Sequence, residues 1–226
     1  MCGRFTLTVE DVVSLARAWA AEVEEALAVG WRPRFNVAPG DRHPLLVAHA
    51  GRRRLISATF GWRVAGESGG LLLNARAETA ATLPTFREAF RARRAAVPAD
   101  GFYEWEGSVA ARRPTWFHDG GRTLWLAALV DRAGGAASRP HSTIAPSFAI
   151  LTTEARAPVR ALHDRMPLLV PAALLDAWLT GPAPSLPAPA DGALAGRRVS
   201  ERANSVRNDD AACLAPADPP AQGSLF

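Results

Sequence analysis

The middle of the chain is cut into short apolar runs, and this punctuation limits the fold more than any other feature. Strand-like stretches at 43–49, 55–62, 71–74, 95–97, 101–106, 115–118, 123–130 and 148–152 are separated by glycine-rich or polar turns. Helical patterning is sparse. An apolar repeat through Val12, Leu15, Ala16 and Trp19, behind a capping-box-like Thr8 to Asp11, predicts a helix over 9–28. Phe86 and Phe90 share one face of a helix predicted over 85–94, and Pro171 opens a short one over 171–179. Segment 31–40 is basic and aromatic, and Pro33 and Pro39 keep it from forming a continuous helix. Many short strands with few helices predict an α+β domain, with a mainly antiparallel, barrel-like sheet core and peripheral helices.

At 226 residues the chain fits one large domain or two small ones. Residues 1–213 read as one domain, with a Pro/Ala-rich excursion at 181–191, and 214–226 read as a disordered tail. The 48% hydrophobic content can fill a core, yet no apolar run reaches the roughly 18 residues of a membrane span. The N-terminus lacks the basic and then apolar pattern of a secretory signal. A cytoplasmic monomer with no membrane partner is expected. Cys2 and Cys213, without a CxxC, make neither a disulfide framework nor a zinc site, and no metal or cofactor is expected. A net charge of +4 favours a polyanionic partner held in a local basic groove. Abundant Ala and Arg also fit a GC-rich genome, which accounts for much of the basicity.

Met1 precedes a small residue and is expected to be trimmed, leaving Cys2 as a terminal 1,2-aminothiol. Its thiol, with pKa about 8.5, and its α-amine, at about 7.7 to 8.0, are both partly available near neutral pH. An aldehyde can form an imine with the amine, which the thiol then closes to a thiazolidine. All 26 Lys+Arg residues are arginine, so no lysine competes for imine chemistry. The alternative is a small apolar residue opening the first strand.

Three further residues carry proton-transfer or orienting chemistry. Asn74, at the end of an apolar run, can orient a reacting group, and Arg76 can grip a phosphate bidentately; a strand-end turn with a solvated salt bridge explains the same residues. In 101–106, period-2 alternation puts Glu104 on the face of Phe102, and an inward carboxylate needs a partner or a raised pKa. An exposed edge-strand Glu is the alternative. His163 stands beside Asp164 and Arg165 just before a proline and is a candidate acid or base. It could instead cap the preceding helix, with Asp164 and Arg165 forming an ion pair.

Taken together, these motifs resemble the SRAP family, first named as SOS-response-associated peptidases and understood as abasic-site processing proteins. The resemblance rests on Met1-Cys2-Gly3-Arg4-Phe5, Arg34-Phe35-Asn36-Val37-Ala38-Pro39, Asn74-Ala75-Arg76-Ala77-Glu78, the stretches 97–105 and 148–153, His163-Asp164-Arg165-Met166-Pro167, and 204–209. It implies that Cys2 captures the ring-opened aldehyde of an abasic site in single-stranded DNA as a thiazolidine crosslink, shielding the lesion during replication. On that pattern Asn74 positions the reacting groups, and Glu104 and His163 move protons. Arg4, Arg76 and Arg165 would contact phosphates, with Pro39 and Trp105 beside the strand. The chain departs from the family at 60–66, where Phe-Gly-Trp-Arg-Val-Ala-Gly replaces a Pro- and Trp-containing segment, putting DNA contacts there in doubt.

The last residues, Gln222-Gly223-Ser224-Leu225-Phe226, resemble short peptides that dock on the bacterial DNA sliding clamp, with Gln222, Leu225 and Phe226 as anchors. That implies action at the nucleoid and replication fork. Two other readings use the same residues. An N-terminal-nucleophile peptidase or amidase, which includes removal of its own Met1, would use the thiol on a carbonyl. A noncatalytic single-strand-binding module would use only the Arg and Trp side chains.

Overall fold

The computed structural model describes residues 2–64, 70–108, 111–131, 146–182 and 194–217. The chain enters through β1 (Phe5–Leu7), fully buried, and α1 (Val12–Ala18). Asp11 caps α1: its carboxylate accepts the Val13 N–H at 2.8 Å and the Ser14 hydroxyl at 2.6 Å. Thr8, the expected cap, is drawn away to Asp100, which accepts its N–H at 2.6 Å and its hydroxyl at 2.5 Å. The helix expected over 9–28 is divided. Ala20 takes a φ of 50°, outside helical geometry, and the chain runs on as β2 (Ala21–Val23) before α2 (Glu25–Gly30).

β3 (Arg34–Val37), β4 (Arg42–His49) and β5 (Arg52–Phe60) follow, then β6 (Trp62–Arg63), β7 (Leu71–Leu72) and β8 (Asn74–Arg76). After α3 (Ala77–Ala80) and α4 (Arg87–Ala92) come β9 (Arg94–Ala99), β10 (Gly101–Glu106), β11 (Arg113–His118), β12 (Leu124–Asp131) and β13 (Ser147–Glu154). β14 (Arg165–Pro167), α5 (Leu175–Thr180) and β15 (Ala195–Arg198) complete the set.

Two sheets carry the fold. In the larger, β14, β13, β12, β9, β4, β5 and β2 lie side by side, and β13 also pairs with β5 at Phe148 and Phe60. Strands β13, β12, β9, β4 and β5 therefore close into a ring, which removes their free edges. The smaller sheet runs β15, β11, β10, β1, β3. The α+β, barrel-like expectation holds. The sheet is mixed, because β13 pairs in parallel with β5 and β8, and β2 does so with β5.

Aromatic side chains join the sheets. Phe5, Phe60, Phe102 and Phe148 are fully buried, with Phe60 stacked on Phe148 at 5.4 Å and edge-on to Phe5 at 5.3 Å. Gly101 lets β10 lie against Trp116. A Cβ there would overlap the indole and stand 2.7 Å from the Phe117 carbonyl oxygen, so no larger residue fits without moving backbone.

The segment after β15 folds back over the chain's start. Asn36 donates from Nδ2 to the carbonyls of Ser205 at 3.0 Å and Asn208 at 2.8 Å. Asp209 accepts the backbone N–H of Phe35 at 2.7 Å and of Asn36 at 2.9 Å. Pairing continues past residue 213: Ser200 N–H donates to Ala215 O at 2.9 Å, and Val199 bridges Pro216. The first residues of the expected tail thus pack on the domain. Residues 218–226, with Gln222, Leu225 and Phe226, lie outside the described residues, as do 183–193 of the expected excursion. No helix among the described residues is long and apolar enough to cross a membrane.

Candidate active site

Antiparallel pairing places the start of the chain beside Glu104. Phe5 lies opposite Phe102, and Tyr103 N–H donates to Arg4 O at 3.0 Å, so the residues just before Arg4 run alongside the outer half of β10. Cys2 is fully buried, its Sγ 3.9 Å from Arg4 O. Burial pushes the thiol pKa up, and the neighbouring Glu104 carboxylate pushes it further. A thiol in that setting keeps its proton at neutral pH and needs a base to become a nucleophile.

Glu104 supplies a titratable carboxyl at that place. It shares the inner face with Phe102, as period-2 alternation predicts, and is 3% exposed, whereas Glu106 has emerged to solvent. Burial raises its pKa, while the nearby His163 pulls it back. Glu104 is therefore the electrostatic link between the chain's start and His163.

His163 follows a short 3₁₀ turn at Val159–Ala161. Its Nδ1 accepts the Arg165 backbone N–H at 2.9 Å, which assigns the neutral ring's proton to Nε2. The ion pair between Asp164 and Arg165, the alternative reading of this motif, is not formed. Arg165 instead donates both terminal nitrogens to Glu78, at 2.9 and 2.7 Å, and Nη2 also reaches Thr152 O at 2.5 Å. Asp164 lies in the bend before β14, and the carboxylate that Arg165 reaches is that of Glu78 in α3.

Asn74 reaches the same region along β13, whose Ile150 lies opposite it. Leu73 and Leu162, the neighbours of Asn74 and His163, pack against the buried cluster that contains Cys2, Phe102, Val159 and Met166. The Asn74 amide makes no hydrogen bond among the described residues, and its Oδ1 is buried. An unpaired buried acceptor costs about 1–3 kcal/mol, a cost that a donor on a bound molecule would relieve. The structure thus gathers Cys2, Glu104 and His163 electrostatically and brings Asn74 to the same apolar cluster without a direct bond to them.

The expected strand-contacting residues divide in two. Arg76 is exposed at the end of β8 with no ion pair among the described residues, and Pro39 is exposed in a turn. Arg4 is 9% exposed and engaged internally. Its Nη1 donates to Asn36 Oδ1 and Ala203 O, both at 2.9 Å, its Nη2 to Asn204 O at 3.3 Å, and its guanidinium lies 5.3 Å from the Trp105 ring centre. Trp105 is half-buried and donates Nε1–H to Asn204 Oδ1 at 2.8 Å. Arg4 in this arrangement ties the closing segment to the chain's start. Asn36, Asn204 and Asp209 were visible in sequence only as motif members; their joint role needed the fold. Among the described residues no group of three His, Cys, Asp or Glu could hold a metal ion.

Comparison with known proteins places these residues in context. Residues 1–206 match the family model described as SOS response associated peptidase (SRAP). The chain is 30% identical over 184 residues to the abasic site processing protein YedK of Escherichia coli (strain K12), covering 79% of each. It is 28% identical over 231 residues to the abasic site processing protein YoaM of Bacillus subtilis (strain 168), covering 95% of this chain and 97% of that one. Among solved structures, a Bacteroides thetaiotaomicron protein matches with a TM-score of 0.78 at 20% identity, over 96% of this chain and all of that one. A Bordetella bronchiseptica protein matches with a TM-score of 0.68 at 26% identity, over 88% of this chain and all of that one.

Proposed function

Because the chain belongs to the SOS-response-associated peptidase family of abasic-site processing proteins, we propose that its Cys2, freed of Met1, covalently captures abasic sites in single-stranded DNA. The observation that carries the reading is the buried Glu104, which interacts with the buried Cys2 thiol on one side and with His163 on the other. The terminal amine adds to C1′ of the ring-opened sugar aldehyde, and loss of water gives an imine. The Cys2 sulfur then adds to the imine carbon, its proton passes to the nitrogen, and the thiazolidine closes. Aldehyde and aminothiol become thiazolidine and one water.

The steps ask for a group that gives and takes protons, since the carbinolamine oxygen leaves as water and the thiol must lose its proton. A carboxyl raised by burial suits both tasks, as an acid when protonated and a base when ionised. His163, with its proton on Nε2, is the second exchange group and assists opening of the sugar ring. The unpaired Asn74 Oδ1 would accept a hydrogen bond from the sugar or the attacking amine. Arg76 would hold a flanking phosphate, and Pro39 and Trp105 would border the strand, where an aromatic face can stack on a base. At the other end, Gln222, Leu225 and Phe226 would dock on the sliding clamp and bring the protein to the replication fork.

The test is a denaturing gel of trimmed protein incubated with single-stranded DNA carrying one abasic site. The wild type gives a denaturation-resistant adduct and Cys2→Ala gives none. An adduct of equal yield from Cys2→Ala would overturn the reading. Turnover of peptides without DNA, in the absence of any adduct, would replace it with a peptidase.

A further inference from the structure

Glu78 belongs to the Asn74 motif but has no part in the chemistry above, and its contacts tie it to the other side of the site. β13 is flanked by β8 and β14, with Thr152 opposite Arg76 on one side and Pro167 on the other. Glu78, in the first turn of α3, reaches across β13 to accept both terminal nitrogens of Arg165, and the Thr153 hydroxyl donates to it at 3.5 Å. Arg165 opens β14, a three-residue strand at the edge of the larger sheet. Its backbone N–H is the donor that holds His163 Nδ1.

We propose that Glu78 is a positioning residue for His163, acting through the side chain and then the backbone of Arg165. The proposal rests on the reading of His163 as a proton-transfer group. A planar guanidinium held by two parallel bonds is fixed in orientation as well as in place. Here that fork pins the first residue of a short edge strand, where backbone pairing is weakest. The pair is partly exposed, with side-chain exposures of 21% and 45%, and an ion pair so placed adds little to stability. Its use is geometric: it keeps the Arg165 N–H on Nδ1 and so keeps the ring proton on Nε2. Glu78 also neutralises a guanidinium close to the path proposed for the DNA backbone.

Removing the carboxylate therefore moves two readouts apart. Glu78→Ala should bind undamaged single-stranded DNA as tightly as the wild type or more tightly, because Arg165 becomes free for phosphate. Its rate of adduct formation at saturating abasic DNA should fall on the order of tenfold, the scale on which small misplacement of a reacting group is felt. Glu78→Gln, which keeps one acceptor oxygen, should lie between. Nitrogen-15 NMR of histidine-labelled protein reads the ring directly, with the His163 signals assigned by their loss in His163→Gln. Nδ1 should report an unprotonated acceptor in the wild type and shift toward a tautomer average in Glu78→Ala. A wild-type rate with an unmoved Nδ1 signal overturns the proposal, as does a parallel fall of affinity and rate. If the wild type forms no adduct at all, the reaction is refuted, and the Nδ1 signal alone decides whether Glu78 positions His163.

Discussion

Replacing Glu104 with Gln should slow the protein while making it more stable. The side chain is 3% exposed, and burial raises its pKa in the fold. The folded state then binds this proton more tightly than the unfolded chain does. Ionisation costs nothing below the unfolded carboxyl pKa of about 4.3. The cost grows as pH rises from there to the folded pKa and is constant above it. Each tenfold difference in proton affinity between folded and unfolded states amounts to about 1.4 kcal/mol. Glutamine has the same shape and never pays for ionisation, so Glu104→Gln should match the wild type below about pH 4 and gain on it as pH rises. A gain of about 1 kcal/mol raises the melting temperature of a domain this size by about 2–4 °C. Adduct formation should fall by about 10²-fold or more, the usual contribution of a general acid–base group. Urea unfolding of trimmed protein across pH 4–8, beside single-turnover adduct kinetics, measures both. A Gln variant destabilised equally at every pH, with the rate lowered only as far as the folded fraction, would refute the reasoning.

Arg76→Ala should weaken single-strand binding and reduce the slope of log affinity against log salt by about one. Arg4→Ala should leave that slope unchanged in the same titrations and instead cost about 1–3 kcal/mol in urea unfolding, because Asn36 Oδ1 loses its donor and the Ala203 carbonyl keeps only the longer bond from Asn36 Nδ2. Gly101→Ala should destabilise the domain by about 1–3 kcal/mol through overpacking against Trp116, measured by thermal unfolding. Deleting Gln222 to Phe226 should abolish clamp binding in a direct titration while adduct yield on free oligonucleotide stays the same; unchanged clamp binding would remove the docking role.

Features set by local pattern were legible in the sequence, and those set by distant partners were not. Strands β4, β5, β10 and β12 follow their apolar runs, and alternation from Phe102 places Glu104 inside. The helix expected over 9–28 failed because Ala21 pairs with Arg53, a ladder bond that no window around residue 20 contains. Strands of three or four residues, β1, β3, β14 and β15 among them, are too short to show a period. Arg4 reads as a surface cation until the chain returns some two hundred residues later to supply its acceptors. Sequence offers adjacent Asp164 as an alternative partner for Arg165, while its actual partner, Glu78, stands across a strand. The four candidate residues were nameable from chemistry and motif; that three of them are brought within electrostatic reach is set by the fold.

The most direct test of thiazolidine formation is the number of free thiols in the adduct. The chain has two cysteines, Cys2 and Cys213. Trimmed protein crosslinked to an abasic single strand is denatured, alkylated with iodoacetamide and weighed intact. The account predicts a mass equal to protein plus DNA minus one water, with a single alkylation that maps to Cys213. Two alkylations on the adduct would mean that the Cys2 sulfur is still free, and would contradict ring closure.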